Sequence, residues 1–174
     1  MKIVPLSKAQ LSFKVLISSF LLMVGIGYLF GLIHIYTDVG FSYTGIVTHY
    51  RGDAKELTLP AEFAFARLIH NQHVHIFGLS MLFLLIGVIF TLTQLPERVK
   101  ALFVMAPFVG LFIDLSSFWL LVFTSPFFAW LAAIFGAFMG LSFFLIIGRP
   151  LYEMWVSPLW YRIWKEENVP WFLR

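Results

Sequence analysis

The sequence predicts an all-α integral membrane protein: a four-helix antiparallel bundle with a long outer loop and an interfacial C-terminal segment. Three observations carry that prediction. Of 174 residues, 60% are hydrophobic, 19% aromatic and 12% charged, whereas soluble globular chains are about 45–50% apolar and about 25% charged. Four apolar runs are each long enough to cross a hydrocarbon core of about 30 Å, which takes roughly 20 helical residues. The cations are sorted to one side of those runs. Disorder is excluded, because 21 Phe and 6 Trp are the opposite of a solvated, low-hydrophobicity composition.

The four spans fall at about residues 15–36, 68–93, 101–124 and 127–148, and residues 1–150 form one transmembrane domain. The first run follows Lys2, Lys8 and Lys14, as a signal peptide would. It exceeds an h-region of about 7–15 residues and has no small-residue cleavage site before Tyr36, so it is expected to remain as the first helix. Gln94-Leu95-Pro96-Glu97-Arg98 breaks the chain between spans two and three, and Thr124-Ser125-Pro126 supplies a cap and a first-turn proline before span four. Both hinges are short, so the neighbouring helices run antiparallel. Arg149-Pro150 is expected to end or kink the fourth helix.

Four spans put both termini on one side with the second loop. Nine of the twelve cations lie there: Lys2, Lys8, Lys14, Arg98, Lys100, Arg149, Arg162, Lys165 and Arg174. By the positive-inside rule both termini are cytoplasmic, in a bacterial inner membrane, and the long first loop faces outward. The cations flank apolar runs, so the net charge of +3 reads as topology and no nucleic-acid partner is expected. Residues 151–174 hold Trp155, Trp160, Trp164 and Trp171 among Arg162, Lys165, Glu166 and Glu167, the composition of a segment in the headgroup layer. Ser157-Pro158 reads as a helix start within it. Glu153 is expected to pair with Arg149 at i, i+4.

The first loop, residues 37–67, is too long for a mere connector. Its 39–50 part reads as extended and interfacial, Pro60 as the opening of a helix that runs into span two, and the whole as a lid. Gly136 and Gly140 on span four, and Gly27 and Gly31 on span one, are small-xxx-small pairs of the kind that let helices approach closely.

All five histidines, His34, His49, His70, His73 and His75, fall between the end of span one and the start of span two, at or just beneath the outer membrane surface. Asp114, the one acid centrally placed in a span, belongs to the same outer half, and an ionisable group at that depth is a functional candidate by default. It is assigned a ligand-orienting or proton-handling role. Helical residues turn by 100° each, so His73 and His75 point about 160° apart and cannot both face one small site. His70 and His73 share a face with Phe77, and His75 shares another with Asn71, Gly78 and Leu82.

Three functions fit these residues. The first is one b-type haem held between helices by two imidazoles from His34, His73 and His75. On the helix count, the outer-side histidines and the glycines near them, the chain resembles four-helix bacterial membrane b-type cytochromes, the quinol-linked electron-transfer subunits. Those proteins usually carry a second, cytoplasmic-side histidine pair, and none is present here. The resemblance therefore implies one haem near the outer face, exchanging electrons with quinol or a periplasmic carrier. The second is a non-haem copper, iron or zinc site drawn from His34, His49, His70, His73, His75 and Asp114, since imidazole suits all three metals. With no cysteine, thiolate ligation, a disulfide and covalent c-type haem are excluded. The third is a non-catalytic small subunit of a larger membrane complex, with partner subunits or a second copy on its aromatic faces and quinone contacting its polar groups.

Overall fold

A computed structural model describes residues 5–52 and 61–158. They form five α-helices and no strand: α1 (Leu11–Asp38), α2 (Tyr43–Arg51), α3 (Ala61–Thr91), α4 (Glu97–Phe123) and α5 (Ala129–Leu151). Four helical stretches are long and apolar enough to span a bilayer: Leu11–Asp38, Leu68–Thr91, Glu97–Phe123 and Pro126–Val156. The predicted four-span organisation holds, with the helices running a few residues past most of the predicted ends. The opening of α3 at Ala61 follows Pro60 as expected.

In a bilayer the lipid is as apolar as leucine, so the spans associate by close packing. Leu21, Phe83, Ile86, Phe90, Leu111, Phe143 and Ile146 form one buried cluster to which all four spans contribute. In cross-section α1 packs beside α5, α5 beside α4 and α3, and α4 beside α3, which leaves the α1–α3 side of the round open. The glycine pair on α5 works as predicted: a Cβ on Gly140 would come within 3.0 Å of the Tyr28 hydroxyl. The pair on α1 does not. A Cβ on Gly27 or Gly31 would meet nothing within 4 Å, because α1 joins the bundle core through Ile17, Phe20, Leu21, Val24 and Tyr28.

The N-terminal foot of α1 is pinned by polar contacts. Lys14 Nζ donates to the carbonyls of Ser7 at 2.7 Å and Met154 at 3.2 Å, and Trp155 Nε1 donates to Ser18 Oγ at 2.8 Å. The Arg149–Glu153 pair forms as expected, with Arg149 Nε 2.9 Å from Glu153 Oε1. Glu153 is 3% exposed and also accepts the backbone N–H of Gln94, at 3.1 and 3.0 Å to its two oxygens. It thereby ties the end of α5 to the α3–α4 hinge. Lys100, 6% exposed, closes the same hinge by bonding the Thr91 carbonyl at 3.0 Å and pairing with Glu97. Pro96 precedes α4, and Ser125 Oγ accepts the Phe127 N–H ahead of α5, as the two break motifs predict.

Two expectations are corrected. Arg149-Pro150 does not end the last span. Pro150 sits inside α5, and the chain continues through a π-helical turn at Tyr152–Val156 into Ser157 and Pro158, so Ser157-Pro158 is no fresh helix start. A proline removes one backbone donor, and widening the following turn keeps a helix going where a break is not forced by the surroundings. Trp155, the one tryptophan of that segment among the described residues, bonds Ser18 of α1. Trp160, Trp164 and Trp171 lie outside the described residues.

The second correction concerns the loop. Residues 39–50 are not extended: Gly40 turns the chain at φ 74° and α2 follows. Ser42 Oγ accepts the Gly45 N–H at 3.0 Å, which caps the helix, and Gly52 closes it at φ 83°. Tyr43, Ile46, Val47 and Tyr50 fall at i, i+3, i+4 and i+7, one apolar face. That face lies on the outer ends of α4 and α5, where Ile46 packs with Leu121 and Ala129. Tyr50 stacks 4.4 Å from Phe118 and Tyr43 5.4 Å from Trp130. The described part of the loop therefore caps α4 and α5 and does not cover the histidines of α3.

Candidate functional site

The C-terminal part of α1 and the N-terminal half of α3 carry two of the candidate residues, His34 and His75. On α1, every residue from Ile26 to Asp38 except Tyr28 and Leu32 is exposed; on α3, residues 73–78 are all exposed. Helical phase decides which histidines border the open α1–α3 flank. Gly25 of α1 faces α5, where its Cβ would stand 3.3 Å from Ile147. His34 lies nine residues on, which at 100° per residue places it on the opposite side of α1. Gly87 of α3 faces Val104 of α4. Gly78, nine residues before it, lies on the opposite side, and His75 lies about 120° away. His75 thus continues the line of Leu79, Leu82 and Ile86, which face the bundle lower down. It is uncovered only because α1 stands away at this level.

The two flank histidines are oriented in the same manner. His75 Nδ1 is 2.8 Å from the Asn71 carbonyl oxygen one turn back. A carbonyl only accepts, so Nδ1 carries the proton and Nε2 is left with a lone pair. His34 Nδ1 is 3.4 Å from Asp38 Oδ2, with His34 74% and Asp38 51% exposed at the side chain. An Nδ1 held by a carbonyl or carboxylate is the usual second-shell arrangement of a metal-ligating imidazole. Next to these rings, Gly27, Gly31 and Gly78 leave open space on both helices.

The remaining candidates sit elsewhere. His70 and His73 are exposed on the far side of α3. They line a shallow, open pocket of about 440 Å³ with Phe65, Ala66 and Ile69, and His73 lies edge-on to Phe77 at 5.1 Å. His49 is half-buried on α2, edge-on to Tyr50 at 4.9 Å. Asp114 faces Gly136 of α5, its Oδ1 3.5 Å from where a Cβ would stand. No three His, Asp or Glu side chains come together as a metal-binding group among the described residues. The structure therefore separates the pool of six candidates into a flank pair, a far-side pair, a loop histidine and an interior acid.

Three contributors to the site go unmarked in a reading by motif. Gln72 donates to the Leu115 carbonyl at 2.8 Å and fixes α3 against α4. Asn71 Nδ2 reaches the Tyr50 hydroxyl at 3.5 Å and links α3 to α2. Tyr28 stacks on Phe143 at 4.1 Å and is the outermost firm contact of α1. The signal for Gln72 was its place on the apolar line Leu68, Gln72, Leu79, where an amide needs a partner.

A family model described as a transmembrane helical domain matches residues 40–159, more than half of the chain. The match begins just beyond α1, includes His49, His70, His73, His75 and Asp114, and leaves out His34. No curated protein and no solved structure matches the chain.

Proposed function

We propose that this chain, which belongs to the Aq_1264_TM family of transmembrane helical domains, is a multi-pass inner-membrane protein that binds one b-type haem for electron transfer. His34 and His75 would hold the haem in the outer α1–α3 flank. The observation that carries this reading is the His75 ring, with Nδ1 tied to the Asn71 carbonyl at 2.8 Å and Nε2 free. His34, with Nδ1 3.4 Å from Asp38, would supply the second imidazole from α1. The donor set fits the group: two neutral imidazoles suit haem iron, and glycines at 27, 31 and 78 leave room for a flat ring. When bound, the haem supplies a one-electron carrier; the chain supplies ligands, an apolar shell and a position near one face. The cation distribution supports cytoplasmic termini, which puts that face outside.

A reduced-minus-oxidised optical spectrum of the purified protein is the test. Bis-imidazole bands are expected, lost in H34A and in H75A and kept in H73A, H70A and H49A. Bands that survive in H75A refute the assignment. Stoichiometric copper, iron or zinc without haem bands favours the metal site instead. A second reading, a non-catalytic subunit in a larger complex or a homo-oligomer, is favoured by α1, where Leu21 alone of 28 residues is buried. A chain that copurifies with neither haem nor metal supports that reading.

A further inference from the structure

Asp114 is a polar group that the proposed haem site does not use. It lies nine residues from the outer end of α4, Tyr28 ten residues from that of α1, and Gly136 ten residues from the start of the last span at Pro126. At 1.5 Å per residue each is about 15 Å deep, the middle of a hydrocarbon core of about 30 Å. Asp114 Oδ1 stands 3.5 Å from the Cβ position of Gly136, and Tyr28 Oη 3.0 Å from that of Gly140 one turn along. Two helices thus aim an oxygen at one glycine notch of a third, within electrostatic reach of each other. No hydrogen bond satisfies either oxygen among the described residues.

We infer that Asp114 and Tyr28 form a proton-binding site at the Gly136–Gly140 notch, in which the carboxyl of Asp114 holds an exchangeable proton and the Tyr28 hydroxyl is a polar neighbour along the notch. A bare carboxylate at this depth has no cation to pair with, and an unpaired buried charge takes up a proton rather than stay ionised. The other elements packed here add no charge: α3 contributes Gln72, α5 the two glycines, and α2 places Tyr50 against Phe118, one turn further out. The notch is reachable, because Asp114, Gly136 and Tyr28 are only half-buried and α1 leaves the bundle just above Tyr28.

The site is tested on the full chain in lipid, with and without haem, so that its outcome is separate from that of the haem assignment. A hydrophobic carbodiimide, which reacts with protonated carboxyls, should label Asp114 at neutral pH as read by peptide mass spectrometry, with the label lost in D114N. The infrared spectrum should carry a protonated-carboxyl C=O band that is absent in D114N, shifts in heavy water, and shifts in Y28F as the neighbouring hydroxyl dipole is lost. Y28F keeps the ring stacked on Phe143, so it reports on the hydroxyl alone. An unlabelled Asp114 with no carboxyl band overturns the proposal. So does a band that Y28F leaves unmoved, or one that heavy water fails to shift.

Discussion

Removing the Glu153 carboxylate by E153A should loosen the end of the bundle where α5 meets the α3–α4 hinge. The side chain is 3% exposed and accepts from Gln94 N–H at 3.0 and 3.1 Å and from Arg149 Nε at 2.9 Å. Hydrogen bonds to a charged group are worth about 1.5–3 kcal/mol, and Gln94, an exposed residue, recovers water at its N–H. Arg149 is 39% exposed at its side chain and recovers water, so its lost bond counts at the low end. The expected loss for E153A is about 2–4 kcal/mol. R149A should cost about 3–5 kcal/mol, because it leaves the buried carboxylate without its countercharge. E153Q keeps an acceptor for Gln94 and should cost least of the three. The Glu97–Lys100 pair is the control: Glu97 is 87% exposed, so E97Q should change stability by under about 1 kcal/mol. Unfolding in mixed micelles, followed by far-ultraviolet circular dichroism, gives the four values. An E153A effect below about 1 kcal/mol, or R149A milder than E153Q, refutes the view that this carboxylate is a buried latch.

G140A places a methyl 3.0 Å from the Tyr28 hydroxyl and should destabilise the α1–α5 contact by about 1–3 kcal/mol, whereas G27A, with nothing in reach, should not; melting of the two variants compares them. S42A removes the cap of α2 and should cost about 1 kcal/mol, read as faster amide exchange confined to residues 43–51. The chain has no cysteine, so single cysteines report topology directly. In intact cells T44C should react with an impermeant maleimide and R98C should not, and the reverse pattern overturns the orientation.

Span number and hinges were legible in the sequence because they follow from transfer free energy and local backbone chemistry: apolar length, Pro96, and Ser125-Pro126. The glycines at 136 and 140 were legible for the same reason, since close approach has few solutions. α2 was misread because aromatic and β-branched residues suggest strands. The spacing of Tyr43, Ile46, Val47 and Tyr50 behind Ser42 held the better signal. Phase placed His73 and His75 on different faces, and the structure orients His75 toward the open flank. Sequence could not say that α1 leaves the bundle at Tyr28, because the apolar pattern of α1 is nearly uniform around its circumference. Nor could it separate Asp114 from the histidines, since depth alone put them together.

The attachment of α1 at its foot makes the helix a lever. Its firm contacts stop at Tyr28, and His34 lies six residues, or about 9 Å, beyond that fulcrum. A tilt of about 10° would carry the ring sideways by about 1.6 Å, enough to make or break a coordination bond. Hydrophobic mismatch is relieved by tilting helices, so the thickness of the surrounding bilayer sets the angle. In short-chain and long-chain lipids the same polypeptide would then hold its two imidazoles at different separations, and membrane composition becomes a dial on whatever the flank grips.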